Sequence, residues 1–508
     1  MMYYKIILSK NKTPNVFRKI FFLKQIKGAI TMKKLKLNKQ SKPDFEELSR
    51  MISDLRDFLD ETPDFTDSEW IENLDKIIDF QDEDGSFKLF DSYNIPSDAR
   101  VDFCYIPTYI CTAVLMKAYL LVPDAFTVKA KSALAKGLKM SCVKNLRGHG
   151  YDAFKGQIEA LNLFLKAGLN EFLDLYPEIC PEFTEMIGNI ISQFRDRQGS
   201  EKFTGSWGES YESEIREINE CFSTRKVFVY GTLMKGEANH GYLEKSIYLG
   251  KATIKGYEMY DVGWYPAIVL ADNLIIGELY KVPLSDMPSI GMLEGEGSLY
   301  AKRCEKVRDS EGNETLAYVY VYLDDVSNLK KIPAWKAEYV WYVSYGSNML
   351  KDRFLCYIRG GSYEGSRYHP PCDDPTPPVA VKAVDIPFGM YFGNISDSWH
   401  GSGVSFLDVT EPGKALGVAY LITKEQFAHV CSRENNGREP QPGCGWYEDI
   451  IDLGEMDGFE VKTITNRDLC DYNAPYQDYL ETLKDGIKEN WPEMSDDEIA
   501  DYLESCIR

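Results

Sequence analysis

Two tetrapeptides in this chain have residue types suited to chemistry, Tyr230-Gly231-Thr232-Leu233 and Tyr345-Gly346-Ser347-Asn348. Each closes a run of strand-forming residues, 226–230 and 339–345. A strand that ends in Gly presents successive backbone N–H groups in a tight loop. Such groups can hold an anion or a developing oxyanion. Taken alone, either tetrapeptide also reads as a plain strand-ending turn. Motifs for several other chemistries are missing: there is no G-x-x-x-x-G-K-S/T, no H-E-x-x-H and no G-x-S-x-G. This argues against a P-loop nucleotidase, a zincin and an α/β-hydrolase. The five His residues are far apart, and the 12 Cys include no C-x-x-C and no zinc-finger spacing. No metal site is expected from such spacing.

The elements that must position these loops change character along the chain. In residues 44–220 the apolar pattern is helical. Phe45, Leu48, Met51, Ile52, Leu55, Phe58 and Leu59 fall on one helix face, and Trp70, Ile71, Leu74, Ile77 and Ile78 repeat the pattern. A polar turn at 81–87 stops the second helix, and an apolar helix is expected at 107–121. Gly148-His149-Gly150-Tyr151 and Gly205-Ser206-Trp207-Gly208 echo the turn at Gly85. This spacing of Gly-small-aromatic turns and helix pairs resembles the repeats of α/α-toroid proteins, here as an open arc. In residues 224–335 the period becomes two. Lys226–Tyr230, Leu274–Tyr280 and Thr315–Leu323 read as strands, the last with Ala317, Val319 and Val321 alternating with tyrosines. Residues 338–508 open on a strand and pass through a Pro-rich loop at 368–378. They resume as strands at 404–407 and 417–422, then end in helices at 475–490 and after Ser495, where Glu498 has capping-box spacing. The expected architecture is multidomain α+β: toroid-like helices followed by two small mixed β-barrels.

Charge is unevenly spread over the 508 residues. Residues 1–43 hold 12 Lys/Arg and no Asp/Glu, whereas the net charge of the whole chain is −21. An acidic body repels phosphate, so nucleic acid is not expected as a partner. The leader's apolar run, Ile20-Phe21-Phe22-Leu23, is too short for a secretory signal. The leader is expected to be disordered and dispensable. No stretch approaches the ~18–20 apolar residues of a membrane span. Scattered cysteines fit free thiols in a reducing cytoplasm.

The paired loops resemble those of the γ-glutamylcyclotransferase-like superfamily, whose members carry Y-G-S/T-x after a strand. Residues 224–335 resemble its shorter, AIG2-like branch. Gly236-Glu237-Ala238-Asn239-His240 matches G-x-x-N-H, and Gly277-Glu278-Leu279-Tyr280 matches G-E-L/V-Y. Glu294, Tyr300 and Lys302 match E-x5-Y-x-R/K, in which the Glu is the catalytic acid/base. The Asp common just upstream is replaced by Gly291. Residues 338–508 resemble the longer branch through Tyr345–Met349, Trp399–Val404, Gly417-Val418-Ala419-Tyr420, and Pro475 with Tyr479 and Gly486. There Glu434 stands at the catalytic position, Asn435-Asn436-Gly437 replaces the usual E-G, and Trp446-Tyr447 follows.

The resemblance implies an intramolecular aminolysis. The α-amine of a γ-glutamyl group attacks its own γ-carbonyl, 5-oxoproline forms, and an amine or amino acid leaves. Glu294 and Glu434 are the implied catalytic residues. Tyr230, Gly231, Thr232, Leu233 and Tyr300 would bind substrate at the first site, and Tyr345, Gly346, Ser347, Asn348 and Tyr447 at the second. No cofactor is required. The partner is then a small γ-glutamyl amine, amino acid or peptide. An alternative is a scaffold in which one or both sites are inactive and residues 44–220 present a protein or peptide partner.

Overall fold

The computed structural model describes residues 34–42, 44–90, 104–147, 153–198, 203–204, 208, 210–364, 367–443 and 446–507. The first part is helical: α1 (Phe45–Asp60), α2 (Ser68–Phe80), α3 (Ile106–Leu121), α4 (Val128–Ser141), α5 (Ala153–Lys166), α6 (Leu169–Leu175), α7 (Pro181–Arg197) and α8 (Glu212–Ser223). Asp44 caps α1 by accepting from the Glu47 N–H. Leu48, Met51, Leu55, Phe58 and Leu59 are buried as their spacing predicts. Phe45 is instead 56% exposed. A helical side chain leans back over the preceding turn, and the first helical residue has none to cover. Helix α3 is apolar on all sides and therefore central; it packs against α1, α4 and α5. The turn after α2 is made by Gly85 at φ +90°, where a Cβ would meet the Lys136 carbonyl at 2.5 Å. The two turns expected to echo it lie outside the described residues, except for Gly208.

These helices rest on a barrel. Arg225, 6% exposed, donates Nε and Nη2 to the two oxygens of Asp174 on α6, at 2.7 and 3.1 Å. The Tyr318 hydroxyl donates to the same carboxylate at 2.8 Å. The barrel strands are β1 (Thr224–Val229), β2 (Ile247–Asp261) and β3 (Pro266–Pro283), then, after helix α9 (Met287–Leu293), β4 (Tyr300–Asp309) and β5 (Glu314–Tyr322). Their order is β3-β1-β5-β4-β2, closed by β2 pairing with β3, and β6 (Lys330–Ile332) adds to β2. Strand β1 is antiparallel to β3 and parallel to β5. The alternation expected for β5 is present: Ala317, Val319 and Val321 join one core cluster, and Tyr318 and Tyr320 join the other.

The rest of the chain runs β7 (Tyr339–Ser344), α10 (Lys351–Arg359), β8 (Ala380–Ser396), β9 (Ser402–Thr423), α11 (Lys424–Glu434), β10 (Asp449–Met456), β11 (Phe459–Thr465), α12 (Gln477–Asn490) and α13 (Asp496–Ser505). The sheet order is β10-β11-β7-β9-β8. Strand β7 is antiparallel to β9 and parallel to β11. The order of elements repeats that of the barrel: a central strand, a long hairpin, a helix, then a second hairpin whose last strand lies parallel to the first.

Two features differ from expectation. Among the described residues no ladder closes the second sheet into a barrel. The Leu407 N–H on β9 donates to Thr465 Oγ1 on β11 at 3.0 Å, tying together the two strands that flank β7. The strands expected at 404–407 and 417–422 are one 22-residue strand. Pro412-Gly413 is a turn-type dipeptide, but β9 takes the irregularity as a bulge: Asp408 and Pro412 pair with the adjacent Gly389 and Phe388 of β8. The tail helix α13 carries the expected capping box between Ser495 and Glu498. Among the described residues no helix is long and apolar enough to cross a membrane.

Candidate active site

Strand β1 delivers Tyr230 and its loop at the barrel end. The Tyr230 hydroxyl donates to the Tyr320 carbonyl on β5 at 2.5 Å, which fixes the loop's base. Strand β7 delivers Tyr345 in the same way, its hydroxyl donating to the Ile464 carbonyl on β11 at 2.7 Å. Gly231 is required by close packing, since a Cβ there would meet the Pro266 ring at 2.6 Å. The carbonyls of the first loop are held from behind: Asn239 N–H donates to Thr232 O at 2.9 Å, and His240 Nδ1 lies 3.0 Å from Leu233 O. Asn239 Nδ2 also donates to the Thr232 hydroxyl at 3.0 Å. The second loop is braced by α12, where Asn490 Nδ2 donates to Met349 O at 3.1 Å and Gly486 lets the helix approach Leu350. Among the described residues, no protein acceptor takes the N–H groups of 231–233 or 346–348.

Each loop faces a carboxylate at a helix end. Glu294 follows α9, with its N–H bonded to Ile290 O at 2.9 Å. Among the described residues its carboxylate has no hydrogen-bond or ion-pair partner. Burial alone pushes its pKa up to about 7. Its charge acts on Tyr230, Tyr300 and Tyr320, so the expected residues of the first site converge. Burial lifts all three phenols, which stay protonated at neutral pH. Tyr300 donates to the Pro266 carbonyl at 2.8 Å. Where Gly291 replaces a common Asp, a Cβ would lie 2.7 Å from a Glu296 carboxylate oxygen. Glu296 in turn pairs with Lys302 at 3.0 Å and accepts from Tyr320 at 3.3 Å.

Glu434 ends α11, a helix started by a Thr423/Gln426 capping box. Asn348 Nδ2 donates to its carboxylate at 2.6 Å, joining loop to acid across 86 residues of sequence. Burial raises its proton affinity, against the opposing pull of Arg353 and of bonds from Tyr357 and Asn348. Asn435, next in sequence, is buried and clamps Tyr447 by exchanging two bonds with its backbone at 2.8 and 3.0 Å. The Tyr447 hydroxyl donates to Ser405 O at 3.2 Å. Loop, Glu434 and Tyr447 all line a cavity of about 870 Å³, together with Tyr479.

Among the residues of that cavity that sequence reasoning missed are Arg353, Tyr357, Arg367, His369 and Arg433. Tyr357 stacks on His369 with ring centroids 4.0 Å apart. Arg353 lies over the Trp399 ring at 5.1 Å. The available signal was a locally basic run, with Lys351, Arg353, Arg359 and Arg367 against Asp352 and Glu364, but the convergence of α10, the Pro-rich loop and α11 is tertiary.

The family model for gamma-glutamyl cyclotransferase, AIG2-like, matches residues 227–339. The gamma-L-glutamyl-butirosin B gamma-glutamyl cyclotransferase of Niallia circulans is 34% identical over 117 residues, 22% of this chain and 74% of that protein. Histone deacetylase 5 of Arabidopsis thaliana is 28% identical over 220 residues; the match spans 34% of this chain and only 32% of that protein. Among solved structures, YkqA from Bacillus subtilis is 19% identical, with a TM-score of 0.24, over 56% of this chain and 97% of that one. Through its first sheet the chain belongs to the gamma-glutamyl cyclotransferase, AIG2-like family.

Proposed function

We propose that the protein is an enzyme that cyclises γ-glutamyl groups to 5-oxoproline, with two sites built around Glu294 and Glu434. In this reading residues 224–335 and 338–508 are tandem cyclotransferase domains, 44–220 is a helical domain carried on the first, and the setting is cytoplasmic. A substrate α-amine titrates near about 8, so at neutral pH it arrives mostly as ammonium. The Glu carboxylate takes that proton. The freed amine attacks the γ-carbonyl, a C–N bond forms, and the oxyanion rests on the N–H groups of 231–233 or 346–348. The γ-C–N bond to the leaving group then breaks as the same Glu gives that proton to the departing nitrogen and takes the remaining excess proton from the new ring nitrogen. Because nucleophile and electrophile share one molecule, the site's main work is to hold the cyclising conformer. Asn348 suits this: its Nδ2 orients Glu434, while its buried Oδ1 has no partner and can accept from the substrate ammonium.

The observation that carries this reading is the repeated arrangement itself. In both sheets an equivalent central strand ends in a Gly loop with free N–H groups, facing a carboxylate of raised proton affinity at a helix end. The test is 5-oxoproline release from γ-glutamyl amines, γ-glutamyl-ε-lysine and γ-glutamyl dipeptides by the full-length protein. Glu294→Gln and Glu434→Gln, single and combined, assign activity to each site. Folded protein that releases no 5-oxoproline from any of them would refute the reading.

A further inference from the structure

Part of the lining of the 870 Å³ cavity is cationic in a protein whose net charge is −21. Arg353, Arg367, Arg433 and His369 all line it. Burial and then the charges of Arg353, Arg433, Arg367 and His429 hold the His369 pKa down to about 4. The three guanidiniums and the imidazole line one cavity. The imidazole is neutral at pH 7 and acts as a hydrogen-bonding group.

Two of these groups are more than nine-tenths buried yet unsatisfied. Arg353 is 9% exposed and His369 8%. Among the described residues Arg353 Nε, His369 Nδ1 and Arg433 Nε have no hydrogen-bond partner. Leaving such donors unpaired is costly, so they mark a place where a ligand completes the structure. The acids that line the cavity lie elsewhere. Asp478, Glu481 and Asp485 sit on α12, and Glu364 and Asp397 on loops; all are exposed at the mouth, where solvent screens them.

Charge matching then defines the ligand. The N–H groups of 346–348 serve the γ-glutamyl part of the substrate. Arg353 already acts on Glu434. Arg367 and Arg433 remain: among the described residues neither has a carboxylate partner, and Arg367 only donates to Asn436 Oδ1 at 3.0 Å. Guanidinium is the side chain best shaped to bind carboxylate with two parallel bonds. We infer that the second site takes γ-glutamyl substrates whose leaving group is an acidic amino acid carrying two carboxylates, with Arg367 and Arg433 as its specificity residues. This rests on the cyclotransferase reading for its chemistry, but not for its binding.

The experiment uses full-length Glu294→Gln protein, so that only the second site reports. Release of 5-oxoproline is compared for γ-glutamyl-glutamate, γ-glutamyl-alanine and γ-glutamyl-ethylamide. The expected kcat/KM order is as listed, with about tenfold between the first two, the size of one charge-assisted bond. Arg433→Ala and the exposed Arg367→Ala each shrink that ratio to about threefold or less. An unchanged ratio in both variants, or equal rates for all three substrates, overturns the inference. Titration calorimetry on Glu294→Gln/Glu434→Gln protein separates this from the broader reading. Tighter binding of γ-glutamyl-glutamate than γ-glutamyl-alanine, weakened by Arg433→Ala, sustains the inference even if nothing is turned over. Equal affinity, or no binding of either, refutes it.

Discussion

At the first site Glu294 faces phenols and no donor; at the second Glu434 accepts from Asn348 and lies beside Arg353. Both carboxyls are lifted by burial, but only the second is pulled back by a cation and hydrogen bonds. One loop-and-helix plan therefore yields two buried carboxyls tuned by different physics. The first depends on exclusion of water and the second on a polar network. The contrast extends outward. The barrel leans on the helices through Arg225–Asp174, while the second loop leans on its own C-terminal helix.

The largest test of this comparison removes each carboxylate. Glu294→Gln and Glu434→Gln are each expected to lower 5-oxoproline release at their own site by about 10²–10⁴-fold, the usual worth of a general acid/base. Substrate panels on the single variants check that the losses are independent. Next, Arg225→Ala leaves Asp174 without its buried partner and should cost roughly 3–5 kcal/mol in denaturant unfolding. Any loss of activity should fall on the first site. Third, Asn348→Ala frees Glu434 from its orienting bond and should reduce kcat at the second site by about 10–100-fold, given roughly 1.5–3 kcal/mol for a bond to a charged group. A change in KM alone would contradict an orienting role.

The smallest effect concerns pH. Glu294 binds its proton more tightly folded than unfolded, with a pKa of about 7 against 4.5. The stability this contributes is complete below about pH 4.5 and is lost as pH rises through about 7. Glu294→Gln should thus stabilise the protein at pH 8, by on the order of 2 kcal/mol, and leave it unchanged at pH 4. Thermal melts at the two pH values check this. In Glu434→Gln protein, activity should rise with pH through about 7, as the carboxylate needed to accept the proton forms.

Much of the first site could be read from local sequence. Tyr230 to Leu233, Glu294 and Tyr300 lie within 71 residues and form one barrel. The alternation in 315–323 and the Ser495/Glu498 cap are also local signals, and both took their expected form. The second site was legible only in part. Its loop, Glu434 and Tyr447 were named, but the cationic lining depends on Arg353, His369 and Arg433 meeting from three elements. Nothing in their spacing announces that meeting. The continuous strand β9 was hidden because Pro412-Gly413 carries a turn signature, which β9 accommodates as a bulge while keeping its pairing with β8. The toroid-like repeat depends on residues that fall mostly outside those described.

Leu274 and Ile276 belong to strand β3 of the barrel, yet both sit in the core of the second sheet, and Leu274 N–H donates to Asp457 O at 3.2 Å. The two sheets therefore share hydrophobic ballast. A calorimeter should record their melting as one endotherm rather than two. A lesion that loosens the barrel would also drain heat-resistance from the neighbouring sheet, so the two sheets age as a single object.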